Sequence, residues 1–260
     1  MTVSITPGGR LTLVSGSPWT GSSGATTLYY TPAIHNIAQM YDGSVWARQT
    51  FNELSIAIPA TTNTNYDVFL QNDAGMALEF LVWTDDTTRA TALARQNGVL
   101  VKSGDATRLF LGTIRTTGVS GQSRVGDGLY HFVANYYNTI WSAIRTRASV
   151  THAYTAGWRP WNNNTGKRVF GLICHEDHRM HWARVFGNCY GPNQGAGNHG
   201  VGTDSTTSGW PVAVQDDSSN TQSIVVSLTG TVGYHFWQLT QYGAAGVNFY
   251  TAGLDITLLG

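Results

Sequence analysis

Charge is scarce in this 260-residue chain: Asp, Glu, Lys and Arg together make up 12%, where an ordinary soluble domain carries ~25%. The 15 basic and 15 acidic residues cancel. That balance excludes nucleic acid and anionic membrane as general partners, because both call for a basic excess. Cysteine is nearly absent. Cys174 and Cys189 are too few for a disulfide scaffold, and two free, half-buried thiols are expected. No apolar run approaches the ~18 residues of a membrane-spanning helix. The opening MTVSITPGGRLTL lacks the basic and apolar regions of a secretory signal. Phosphate-binding loops, GxSxG elbows and dinucleotide fingerprints are missing as well. The carboxylates that stand together, Asp85–Asp86, Glu176–Asp177 and Asp216–Asp217, diverge if they lie on strands and so cannot flank a glycosidic bond. No cofactor is expected, and no enzymatic activity.

Neutral polar residues and 30 glycines fill the surface instead, which suits a secreted or virion β-protein. The spacing of β-branched and aromatic residues between Gly, Asn and Pro turns predicts strands at Arg10–Val14, Ser44–Phe51, Glu53–Ile58, Tyr66–Leu70, Ala77–Trp83, Val99–Lys102 and Leu109–Thr116. Within them Val68 and Leu70 share one face and Phe69 takes the other. A short helix is expected from Thr87 to Asn97, with Asp85 or Asp86 as N-cap and Gly98 as its left-handed C-cap.

The strongest helical signal runs from Gly128 to Thr146 after an Asp127 N-cap. Leu129, Phe132, Val133, Tyr136, Tyr137, Ile140, Trp141 and Ile144 recur at i, i+3, i+4 and i+7. Two arrangements satisfy that stripe. The helix lies across a sheet edge of its own chain, or Leu129, Val133, Tyr136, Ile140 and Ile144 form a seam around a threefold axis.

Beyond Ser149 the pattern returns to strands: Val150–Thr155, Arg168–Cys174, His178–Phe186, Pro211–Val214, Gln222–Leu228, Tyr234–Gln241, Val247–Thr251 and Asp255–Leu259. About eight strands with long polar loops predict a jelly-roll-like β-sandwich. The fold class is thus mainly β: a small N-terminal β-domain (1–118), a linker and helix (119–148), and a C-terminal β-sandwich (149–260).

Two groups of side chains invite chemistry. His175, His178 and His181, with Cys174, Cys189 and His199 near in sequence, are metal-ligating types. Their spacing fits no known finger, and HxxH on a strand turns its rings to opposite faces. A hairpin corner is the simpler expectation. Trp158, Arg159, Trp161 and Asn162 in GWRPWNNNTG, Tyr190 beside the Gly-rich GPNQGAGNHGVG loop, and Trp210 in SGWP offer rings and hydrogen-bonding groups for a sugar.

The segment WTDDTTRATALARQNGVLVKSGDATRLFLGTIRTT (Trp83–Thr117), with YYTP (Tyr29–Pro32), YDGSVW (Tyr41–Trp46) and GYHFWQLTQYG (Gly233–Gly243), resembles tailed-bacteriophage virion proteins of the tail-fibre, spike and receptor-binding type. The resemblance implies a virion protein, made in the host bacterial cytoplasm and released by lysis. It implies a homotrimer, which favours the threefold seam. Partners would be other copies of itself, other virion proteins, and a host-surface glycan or protein bound through the aromatic loops. Two alternatives stand beside it: a virion-borne glycan-modifying enzyme using the histidines, and a purely architectural baseplate or capsid-associated protein.

Overall fold

A computed structural model describes residues 6–153, 156–190, 197–207, 222–243 and 246–260. Its elements are strands and two single-turn 3-10 segments. In chain order the strands are β1 (Gly9–Thr12), β2 (Ser22–Ala25), β3 (Thr27–Pro32), β4 (Ile37–Tyr41), β5 (Trp46–Thr50), β6 (Leu54–Ala57), β7 (Asn65–Gln71), β8 (Ala77–Val82), β9 (Leu93–Gln96), β10 (Val99–Lys102) and β11 (Asp105–Arg115). Then follow β12 (Ser123–Val125), β13 (Tyr130–His131), β14 (Val133–Asn135), β15 (Trp141–Ala148), β16 (His152–Ala153), β17 (Arg159–Pro160), β18 (Arg168–Ile173), β19 (Met180–Tyr190), β20 (Gly197–Thr203), β21 (Gln222–Thr229), β22 (Gly233–Gly243) and β23 (Asn248–Leu259).

The N-terminal half holds a β1-β3-β6 sheet, the β4-β5 hairpin, and a sheet ordered β8-β7-β11-β10-β9 to which β14 adds beside β11. Alternation along β7 works as the sequence predicts. Val68 and Leu70 enter one core with Leu11, Tyr30 and Ile114, while Phe69 enters another with Phe110 and Leu172. The C-terminal half is two facing sheets. One runs β17-β22-β18-β13-β12-β2 with β20 beside β22; the other runs β15-β23-β19-β21 with β16 beside β23. Val169, Trp237 and Leu239 from the first meet Ile144, Val185, Leu254 and Ile256 from the second in a single core.

Both predicted helices are absent. Asp85 Oδ1 accepts from the backbone N–H groups of Thr87 (2.8 Å) and Thr88 (2.7 Å), so it caps a tight turn. Asn97 and Gly98 both have positive φ (52° and 87°) and connect β9 to β10, which pair antiparallel with Val99 opposite Gln96. Asn-Gly between two apolar runs is a hairpin signal, and here it overrides the helix formers before it. From Gly128 to Thr146 the chain forms β13, β14 and most of β15. Asn138 (φ 52°) breaks the stretch, and its side-chain amide donates to the carbonyls of Pro7 and Gly9. The helical spacing arose because residues 131–135 are buried at consecutive positions, a short run that periodicity cannot separate from a helix, while β15 beyond it alternates exposed and buried.

Without a helix there is no seam. Val133 and Ile144 are buried in two different cores, Leu129 is 38% exposed, Ile140 exchanges backbone hydrogen bonds with Gly260, and Tyr136 joins a ring cluster described below. The boundary at 118 is also crossed: β2 pairs with β12, placing residues 22–25 in a sheet whose other strands come from 123 onward. Of the Gly-rich loop expected at 191–202, residues 197–202 lie in β20, whose Gly197, His199 and Val201 are buried. Residues 191–196, the Pro211–Val214 strand and Trp210 lie outside the described residues.

Candidate functional site

The GYHFWQLTQYG segment forms β22, and its alternation sorts side chains between two faces. His235, Trp237 and Leu239 point into the C-terminal core, while Tyr234 and Phe236 lie on the other face. On that outer face β13 and β18 run parallel, with Tyr130 opposite Phe170. Their rings are 5.0 Å apart and 10° from parallel. Tyr234 continues the row, 6.4 Å from Phe170 at 7°. Phe132 meets Tyr130 and Tyr234 edge-on. A guanidinium closes each end of the row: Arg124 lies 4.1 Å from the Tyr130 centroid and Arg115 lies 3.7 Å from that of Tyr234.

These groups wall a cleft of ~330 Å³, completed by Ser23 of β2, by Asn63, and by the Thr117–Gln122 turn. Small-ligand pockets fall in this size range. Both arginines are held before any ligand arrives. Arg115 is 5% exposed and donates to Asn65 Oδ1 at 2.8 Å and Asp86 Oδ1 at 2.5 Å. Arg124 donates from Nε to Asp127 Oδ2 at 2.6 Å. The Asp86 loop is fixed in turn, because its carbonyl accepts from Tyr234 N–H and from the Asn65 amide. The cleft therefore joins an apolar wall to pre-positioned donors. Among the described residues its lining carries no carboxylate, so it lacks the acid pair that glycoside hydrolysis requires.

The sequence singled out none of these rings as ligands, although the segments carrying Tyr130 and Tyr234 were both noted. Their signal was present as strand alternation, but which aromatics share a face depends on β13 pairing with β18 across about 40 residues of chain.

The rings that the sequence did nominate are scattered. Trp161 is 1% exposed, stacked on His199 at 5.2 Å with Phe249 edge-on at 5.6 Å, so it is core and cannot touch a sugar. Trp158 is half-buried against Tyr242, and Arg159 donates to the Ala153 carbonyl. Asn162 is exposed, its backbone N–H donating to Gln241 Oε1. Tyr190 is 44% exposed at the end of β19.

The histidines also separate. His175, His178, Tyr136, Asp177 and Arg95 form one surface knot: Asp177 accepts from Tyr136 OH (2.8 Å) and Arg95 (3.0 Å), with His175 Nδ1 at 3.2 Å. The His178 ring stacks on Tyr136, and its Nδ1 is 3.4 Å from the Cys174 thiol. Burial pushes that thiol up to about 12, so it is no nucleophile. His181 turns inward. Its Nδ1 donates to the Arg179 carbonyl, which leaves Nε2 to accept from Trp237 Nε1 at 3.1 Å. Both cysteines are fully buried rather than half-buried. Among the described residues no three His, Cys, Asp or Glu side chains converge as metal ligands.

No protein-family model matches the chain, and no curated protein matches it. Several solved structures share a weak likeness. A structure of infectious bursal disease virus, Gx strain, is 12% identical with TM-score 0.27, covering 100% of this chain and 69% of that one. An exo-β-1,3-galactanase from Phanerochaete chrysosporium with galactose is 9% identical with TM-score 0.25, covering 89% and 78%. A Bacillus thuringiensis Cry1Da tryptic core variant is 9% identical with TM-score 0.24, covering 94% and 50%.

Proposed function

We propose that this protein is a structural component of a bacteriophage virion, a tail fibre, spike or related appendage, that contributes to host attachment by holding a surface glycan and performs no chemistry of its own. The observation that carries the binding role is the cleft bounded by Tyr130, Phe170 and Tyr234. Apolar C–H faces of a sugar would lie along the ring row while hydroxyls meet Arg115, Arg124, Asn63 and Gln122. The resemblance of the quoted sequence segments to fibre-type proteins is what supports the virion setting. In this reading the two facing C-terminal sheets are the jelly-roll-like sandwich, and the chain self-associates as a homotrimer alongside other virion proteins. Many weak glycan contacts would then gain from avidity.

Glycan-array binding tests the cleft. Tyr130→Ala removes one ring, and Ser23→Trp fills the space from exposed β2 without disturbing the row. Each is expected to weaken binding at least tenfold, about 1.4 kcal/mol, with the melting temperature of Ser23→Trp unchanged. Full binding by a folded Ser23→Trp protein sinks the assignment. Light scattering tests assembly. A mass near three times 28.2 kDa is expected, and a clean monomer removes the homotrimer.

A further inference from the structure

The β15-β23-β19-β21 sheet buries one face in the C-terminal core. Its other face, separated from the cleft by both sheets, has an unusual composition. Register places Arg145 of β15, Asp255 of β23, Arg184 of β19 and Val225 of β21 in one row. The next outward row is Arg147, Gly253, Phe186 and Ser223. On the other side of the charged row, Trp141 (49% exposed) and Trp182 pack against each other at 4.4 Å.

Asp255 is the only carboxylate in these four strands, against three arginines. It pairs with Arg147 at 2.6 Å. Arg145 and Arg184 are exposed and form no ion pair among the described residues. Standing two strands apart, they are about 10 Å from each other by the ~4.8 Å strand spacing. Gly253 leaves room for Phe186 to lie across β23, since a Cβ there would sit 2.3 Å from the ring. Arg147 and Arg184 approach that ring at 4.7 and 5.4 Å. In a chain of zero net charge this face gathers cations and aromatic rings together.

We propose that this face binds an acidic polysaccharide, a linear glycan carrying carboxylates at intervals, laid across the strands with its carboxylates on Arg145 and Arg184 and its sugar rings against Trp141, Trp182 and Phe186. Charge complementarity selects this occupant. A second copy of the same face would set arginine against arginine, which like-charge repulsion opposes. A nucleic-acid strand carries a phosphate at every unit and needs a denser basic surface than two free cations provide.

The full-length protein is tested by biolayer interferometry against immobilised polygalacturonate, with neutral dextran and single-stranded DNA as comparisons. Polygalacturonate is expected to bind, to weaken as salt rises, and to lose at least tenfold in affinity in Arg145→Glu/Arg184→Glu and in Trp141→Ala. All of these residues are exposed, so melting should hold. Ser23→Trp is expected to leave this binding intact, which separates it from the cleft. No binding, undiminished binding by the charge-reversed protein, preference for the DNA, or cross-links placing the face between copies of the chain would each overturn the proposal.

Discussion

Asp67→Ala is expected to destabilise the protein by about 3–5 kcal/mol, the cost of leaving a buried charge without its partner. Asp67 and Thr113 are cross-strand neighbours on β7 and β11. The carboxylate side chain is 2% exposed. One oxygen accepts from Thr113 Oγ1 at 2.8 Å and the other from Arg89 Nε at 2.7 Å. Arg89 lies between Trp83 and Phe110, at 4.4 and 5.6 Å from their centroids, and its remaining reach ends on the carbonyl of Cys174. A residue of the N-terminal sheet thus anchors, through one guanidinium, the end of β18 in the C-terminal half. Removing Asp67 leaves Arg89 walled by rings with no anion to face. Replacing both, as Asp67→Leu/Arg89→Met, is expected to recover most of the loss, because an apolar pair has no desolvation penalty to offset. Urea unfolding of the three proteins measures this. A single-variant cost below about 1 kcal/mol would show that water reaches the pair and that it ties nothing together.

Acid is expected to weaken the fold between pH 7 and pH 5, above the range in which exposed carboxylates titrate. Burial lowers the pKa of His199 to about 3 and that of His131 to about 4, with His152 adding to the first shift and Arg10 to the second. Neither ring has a hydrogen-bond partner among the described residues. Both must stay neutral in the folded chain, whereas the unfolded chain protonates them below about 6.5. Their contribution is complete above that value and falls as pH drops toward the folded pKa. The slope is about 1.4 kcal/mol per pH unit for each ring, giving a loss of ~2 kcal/mol per histidine at pH 5.

His235 works in the opposite sense. Burial alone would lower its pKa, but Asp204 at 2.6 Å and the Thr231 carbonyl at 2.7 Å outweigh it and raise the value. Its stabilisation is present below 6.5 and lost as pH rises through the raised pKa, so it offsets part of the acid loss. Thermal melts of the parent and of His199→Phe across pH 5 to 7.5 resolve the terms. The variant should show a shallower acid slope. An identical slope would place His199 outside the titrating set.

The sequence by itself determined the β character of this protein, most of its strands, and the alternation of side chains along β7. Strand alternation has a period of two residues and needs no distant partner to be read. Val68 and Leu70 against Phe69 follow from that rule alone. The same local reading failed where two local signals compete. Asn97–Gly98 served a hairpin instead of a helix end, and the large residues from Leu129 to Ile144 are divided between a short run buried on both faces and the alternating β15 instead of forming one helical stripe. What only the tertiary structure decided was adjacency. Trp161 was nominated for the surface and is packed under His199, because exposure depends on what folds over a residue. Tyr130, Phe170 and Tyr234 became one wall, and Arg145, Asp255 and Arg184 one row, through pairings between strands far apart in the chain. Those pairings are set by the burial of whole faces, an energy that no short window of sequence contains.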